Sequence, residues 1–144
     1  MHERDGQVNI EQSLTDAMRR VEVGLSAMRS GDPQSYIDCW AETPDATLFG
    51  AWGPIEKGWQ PVTETFRWVG SRFTGGSAEV ENVVVTSSGD LAYTVGFERG
   101  LASVSGAPAQ EMVIRVTHIY RREGGEWKLV HRHADFPPAD QRHT

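Results

Sequence analysis

The sequence predicts an α+β domain, a cone-shaped α+β barrel in which three N-terminal helices pack on a strongly curved antiparallel sheet. Three observations predict it. Helical spacing of apolar residues is confined to the chain before residue 74, and four long strand-like segments follow one another from Ala78 to Phe136. Gly96 and Gly100 then fall inside one of those segments, where interior glycines mark bulges and bends. A bent sheet under a helix layer encloses a cone, and its unfilled centre is an apolar pocket. The 144 residues suit one hydrophobic core, and 38% apolar residues with five Trp and five Phe describe a packed globule. The domain is expected over 10–136, with an N-terminal tail over 1–9 and a polar, proline-bearing C-terminal tail over 137–144.

The first helix is read from Ile10, Leu14, Ala17, Met18, Val21, Leu25 and Met28, whose steps of three and four residues trace one stripe. Asn9 is placed to cap it, with Gln12 as in a capping box, and Gly31 closes it. Asp32-Pro33 restarts a short helix carrying Tyr36, Ile37 and Trp40 on one face, which ends before Pro44 and Asp45. Residues 46–57 read as a hairpin broken at Gly53-Pro54. A third helix runs from near Pro61 to Phe73, burying Val62, Phe66, Val69 and Phe73, with Gly75 and Gly76 as its stop. Four strands follow, AEVENVVVTSS, LAYTVGFERGLASV, QEMVIRVTHIYRRE and EWKLVHRHADF, separated by SGD, SGAPA and EGG turn signals. No repeat or phosphate-binding glycine loop interrupts this order.

Composition narrows the function. A net charge of −6 argues against nucleic acid, whose affinity rests on Lys and Arg neutralising phosphates. No apolar run reaches the length of a membrane helix, so no membrane partner is expected. With Cys39 as the one cysteine and a charged opening MHERDGQVN, a cytoplasmic protein without a disulfide is expected. Cys39 itself reads as an inert buried thiol.

At PDATLFGAWGPIEKGW, GDLAYTVGFERG and RVTHIYRREGGEWKLVHRHAD the chain resembles the SnoaL-like branch of the nuclear-transport-factor-two and ketosteroid-isomerase superfamily. The same segments are similar to the association domain of calcium/calmodulin-dependent kinases, which shares a Thr, an aromatic, a basic turn and a Trp-x-x-Val-His-x-His ending. The resemblance covers about residues 10–136 and implies the cone fold. Its members include isomerases, cyclases, dehydratases and catalytically silent binding or oligomerisation domains, so activity has to be argued from the site.

Alternation in the last strand puts Trp127, Leu129, His131, His133 and Asp135 on one face and Lys128, Val130, Arg132 and Ala134 on the other. Composition sends the first set inward. The resemblance sends the second, because the pocket residue of the association domain and the cyclase carboxylate both match Ala134, and the second set is preferred. Register with the preceding strand hangs on the EGGE turn. A bulge there aligns His118 with Val130 and Arg132, and its absence aligns His118 with Leu129 and His131. Glu98 matches a polar pocket position of the association domain.

The expected site therefore joins Glu98 and His118 as catalytic groups with Arg132 on the sheet, Tyr36 and Trp40 from the short helix, and Trp52, Trp59, Phe66 and Tyr120 as ligand-binding wall. Burial raises a carboxyl pKa and His titrates near neutrality, so the pair could exchange a proton with substrate; Glu98 and Arg132 could equally form an ion pair. His131-x-His133 could hold a metal only with a third ligand such as Asp135 or His118, and the preferred reading has no metal and no cofactor. Two functions fit: cofactor-independent acid-base catalysis on a hydrophobic carbonyl compound, as an isomerase, cyclase or dehydratase, or a non-catalytic ligand-binding or oligomerisation domain. The partners expected are a small organic molecule and a second copy of the chain on the sheet face that the helices leave uncovered.

Overall fold

The computed structural model describes residues 2–138, with the side chains of residues 12–138. Helix α1 (His2–Arg29) is followed by α2 (Gln34–Ile37), the strands β1 (Thr47–Phe49) and β2 (Ile55–Lys57), and α3 (Trp59–Arg72). The chain then runs through β3 (Phe73–Gly76), β4 (Glu79–Ser88), β5 (Leu91–Val104), β6 (Gln110–Glu123) and β7 (Glu126–Asp135). The helices follow the apolar stripes: Leu14, Ala17, Val21, Leu25 and Met28 are buried from α1, Tyr36 and Ile37 from α2, and Val62 and Phe66 from α3. Asp32 Oδ1 accepts the Gln34 amide at 3.1 Å and so caps α2. No helix among the described residues is long and apolar enough to cross a membrane.

Two expectations on α1 and α3 are corrected. The helix α1 continues back to His2, so the stretch expected as a tail is helical from that point, since extending an existing helix costs far less than nucleating one. Asn9 is thus inside it, and its side chain lies outside the described ones. Gly75 and Gly76 are not merely a helix stop: they belong to β3, a short strand on the edge of β5. The last residues of the expected C-terminal tail, 139–144, lie outside the described residues.

The sheet runs β2-β1-β7-β6-β5-β3, with β4 also on β5. It is mixed rather than wholly antiparallel, because β1 lies parallel to β7. One edge of β5 serves two strands, β4 along Leu91–Arg99 and β3 along Ala102–Val104, and the sheet curves into a half-barrel around the helices. Gly96 shows how. It sits opposite a bulge between Asn82 and Val84, and a Cβ there would fall 2.0 Å from the Glu81 carbonyl oxygen, so only glycine allows the approach.

The register of β7 resolves the question of facing. The turn between β6 and β7 is tight, with Glu123 paired to Glu126 and Gly124 and Gly125 at φ 57° and 82°, the signature of a two-residue hairpin turn that needs left-handed residues. The turn itself carries no bulge, and the one that decides the register lies at Val130: Tyr120 pairs with Leu129, and Ile119 pairs with His131. Trp127 and Leu129 therefore point into the core before the bulge, and Arg132 and Ala134 point in after it. Both readings of this strand hold, each over its own half, because one extra residue exchanges the faces.

Candidate functional site

Between the helices and the concave face lies a cavity of about 70 Å³. Leu25, Leu48, Phe66, Val69 and Phe73 form much of its apolar wall, while Arg29, Tyr36, Glu98 and Arg132 bring polar atoms to it. Half-exposed Trp52 and Pro54, from the loop joining β1 to β2, and the exposed Phe136 line it as well and connect it to solvent.

Strand register assembles the polar cluster. Thr94, His118 and Arg132 stand side by side on the inner face of β5, β6 and β7, and Glu98 lies further along β5, opposite Ile114. The long Arg132 side chain spans that gap. Its Nη1 and Nη2 donate to Glu98 Oε2 at 2.6 Å and Oε1 at 2.8 Å, a bidentate pair with both residues buried. Arg132 Nη1 also reaches His118 Nε2 at 3.2 Å, and the Tyr36 hydroxyl reaches the same nitrogen at 2.7 Å. Arginine can only donate, so His118 Nε2 is an acceptor, the imidazole is neutral, and its proton sits on Nδ1.

The electrostatics agree with that geometry. Burial, then the Arg132 charge, pushes the His118 pKa down to about 3, against a partial opposing effect of Glu98. Burial alone would raise the Glu98 carboxyl, but the charge and hydrogen bonds of Arg132, with His118 and Arg29, bring it below the ordinary carboxylate range. Of the two readings of Glu98, a carboxyl tuned toward neutrality and an ion pair with Arg132, the geometry holds the second, because the guanidinium outweighs desolvation. Tyr36 is raised by burial and stays a protonated phenol.

Of the residues expected at the site, Glu98, Arg132, Tyr36, Trp52 and Phe66 line the cavity. His118 stands one layer behind, reached through Arg132 and Tyr36. Trp40 is buried in the core, its ring 6.2 Å from Tyr36 and 5.3 Å from Phe66, and supports the wall from outside. Tyr120 is buried against His118 at 6.3 Å and also misses the cavity. Trp59 begins α3 and sits in a surface groove with Glu42 and Thr43, away from the cavity, because its position at the helix start turns it to the opposite end of the fold. His131 and His133 are on the outer face, where Thr47 Oγ1 meets His131 Nδ1 at 2.7 Å. Among the described residues no three His, Cys, Asp or Glu side chains are grouped to hold a metal ion. Cys39 is half-buried, and burial first, against the charges of Lys128 and Arg20, pushes its thiol up to about 11.

Sequence reasoning missed Arg29, which is 3% exposed. The signal was there: it follows Leu25 by four residues, which places a charge on the buried stripe of α1.

The profile of the SnoaL-like domain family matches residues 21–139. The chain belongs to the SnoaL-like domain family. No curated protein sequence matches it significantly. Solved structures similar to it include an NTF2-like superfamily protein from Salmonella enterica serovar Typhimurium, at TM-score 0.77 and 16% identity over 94% of this chain and 96% of that one. A protein from Streptomyces avermitilis described as a dehydratase of the NTF2-like family aligns at TM-score 0.74 and 21% identity, over 89% and 96% of the two chains. A protein from Thiobacillus denitrificans described as a calcium/calmodulin-dependent protein kinase type II association domain aligns at TM-score 0.68 and 19% identity, over 85% and 93% of the two chains. At these identities the likeness shows the fold, and the function of this SnoaL-like domain has to be argued from its own side chains.

Proposed function

We propose that this SnoaL-like chain binds a small organic molecule, apolar over most of its surface, in the cavity between the helices and the sheet. One observation carries this reading: the apolar hollow of about 70 Å³ that Leu25, Leu48, Phe66, Val69 and Phe73 leave beside a polar cluster. Packed interiors seldom leave voids larger than a water molecule, so a hollow of this size beside buried polar groups is an occupied-site geometry. The test is binding of small carbonyl compounds such as acetone, followed by nuclear magnetic resonance. Shifts confined to residues around Tyr36, Trp52 and Phe66 are the expected result. Val69→Phe, which fills the cavity, should abolish them in a folded protein; persistence of binding in that variant would place the ligand elsewhere.

The contact between Tyr36 and His118 favours a second reading, acid-base catalysis on the bound carbonyl compound. Tyr36 lines the cavity and its hydroxyl is 2.7 Å from a neutral imidazole nitrogen. A proton leaving the carbon beside the carbonyl would pass to Tyr36 Oη as the phenol gives its own proton to His118 Nε2; reversal at a second carbon completes an isomerisation. The Streptomyces avermitilis neighbour described as a dehydratase lends this a chemical direction, whereas the low basicity of His118 and the paired Glu98 put binding ahead of it. Turnover of a confirmed substrate that survives Tyr36→Phe and His118→Asn together would remove the catalytic reading.

A second copy of the chain is the partner we propose for the outer sheet face. Phe49, Ile55, Leu91 and Tyr93 are exposed there, on strands that the helices do not cover. Sedimentation at micromolar concentration should show a dimer, and a monomer would contradict it.

A further inference from the structure

Arg29 ends α1 on the stripe of Val21 and Leu25, and its side chain runs into the domain rather than out to solvent. Its Nη1 donates to the carbonyl oxygens of Ser77 at 3.2 Å, Gly100 at 3.0 Å and Met112 at 3.3 Å. Those carbonyls belong to the β3–β4 link, β5 and β6, so three stretches of sheet clamp the guanidinium in one orientation. Nη2 is left over. Among the described residues two buried side-chain nitrogens have no hydrogen-bond partner, Arg29 Nη2 and Trp40 Nε1, and of these residues only Arg29 lines the cavity. A buried cationic donor without an acceptor is costly, and folded proteins seldom retain one without a use.

Charge points the same way. The charged side chains lining the cavity are Arg29, Arg132 and Glu98, with Tyr36 a neutral phenol beside them. Glu98 gives both of its oxygens to Arg132, and His118 behind them is neutral, so one positive charge stands uncompensated. Burial lowers the Arg29 pKa, Glu98 partly offsets this and Arg132 adds to it, yet an arginine keeps its proton at any ordinary pH.

Resting on the reading of this cavity as a ligand site, we infer that its guest is a small monocarboxylate with an apolar body, and that Arg29 Nη2 is the donor to one carboxylate oxygen. The apolar walls receive the body, and the clamped guanidinium meets the anion with little further loss of side-chain freedom. The neutral face of the site, where Glu98 already saturates Arg132, contributes position rather than charge.

The experiment compares acetate and propionate with the neutral isosteres ethanol and 1-propanol, which suit a cavity of about 70 Å³, by calorimetry on the whole chain at constant ionic strength. Carboxylates are expected to bind roughly 10- to 100-fold more tightly than the matching alcohols, the range of one charge-assisted hydrogen bond. In Arg29→Met that ratio should collapse toward one, and in Arg29→Lys, which keeps the charge, it should be partly retained. Should Arg29→Met fail to fold, the wild-type ratio decides alone. Alcohols binding the wild type as tightly as carboxylates, or an unchanged ratio in Arg29→Met, would overturn the inference while leaving the cavity a ligand site. Binding of neither class would overturn both.

Discussion

Two arginine-carboxylate pairs span the same sheet on opposite faces, and their bond lengths are the same. Arg132 meets Glu98 at 2.6 and 2.8 Å inside the cone; Arg115 meets Asp135 at 2.6 and 2.8 Å on the outer face. Only the surroundings differ. The inner side chains are 9% and 2% exposed, and the outer ones 44% and 51%. Outside, water solvates each ion whether or not the partner is present, and salt screens what attraction remains. Inside, each ion depends on the other, so losing one strands a charge. Geometry alone thus says little about what an ion pair contributes, and the inner pair also sets the state of its neighbours: the Arg132 charge adds to burial in keeping His118 neutral, and both Glu98 oxygens are taken up that would otherwise quench Arg29.

The largest expected effect follows from breaking the inner pair. Glu98→Ala should destabilise by about 3–5 kcal/mol in urea unfolding, because an unpaired guanidinium remains buried. The double variant Glu98→Leu with Arg132→Met should recover most of that loss; a double variant as unstable as the single one would mean that the pair is more than mutual compensation. Next, Gly96→Ala, on β5 opposite the bulge in β4, should cost about 1–3 kcal/mol by forcing a Cβ against the Glu81 carbonyl. A neutral result would show that the bend does not depend on that glycine.

Acid sharpens the contrast further. His118 has a folded pKa of about 3 against 6.5 when free, so the unfolded chain binds the extra proton. Stability from this group is complete above about pH 6.5 and drains as pH falls toward 3, and His118→Gln should flatten that slope in a pH series of unfolding midpoints. Glu98, lowered by Arg132, adds a loss of the same sign that begins as pH falls through the ordinary carboxylate value of 4.5. The smallest effect is reserved for Arg115→Ala, where no resolvable change in unfolding midpoint is expected; a loss as large as that of Glu98→Ala would show that the outer face is covered in solution.

Much of the fold was legible because it depends on local patterns. The apolar stripe of α1, the Asp32 cap, the turn glycines and the long strands are each set by neighbours a few residues apart. The parallel pairing of β1 with β7 and the small strand β3 were not legible, since three- and four-residue strands carry too little pattern to announce themselves. At the site, Glu98, Arg132, Tyr36, Trp52 and Phe66 were found from residue type and resemblance, while Trp40, Trp59 and Tyr120 had the right chemistry and the wrong place. A tryptophan looks alike in sequence whether it lines a hollow or plugs the wall behind it.

The order of elements, the acidic surface and the stripe that carries Arg29 inward are properties of the linear sequence, because helix and strand periodicity act over a turn or a pleat. Which half of β7 faces the cavity was decided only when β6 and β7 paired, since one bulged residue at Val130 exchanges the two faces of everything beyond it. The same is true of the partners. Arg29, Glu98, His118 and Arg132 are far apart along the chain, and which of them ends up saturated, neutral or unpaired depends on distances that exist only after the sheet has closed on the helices.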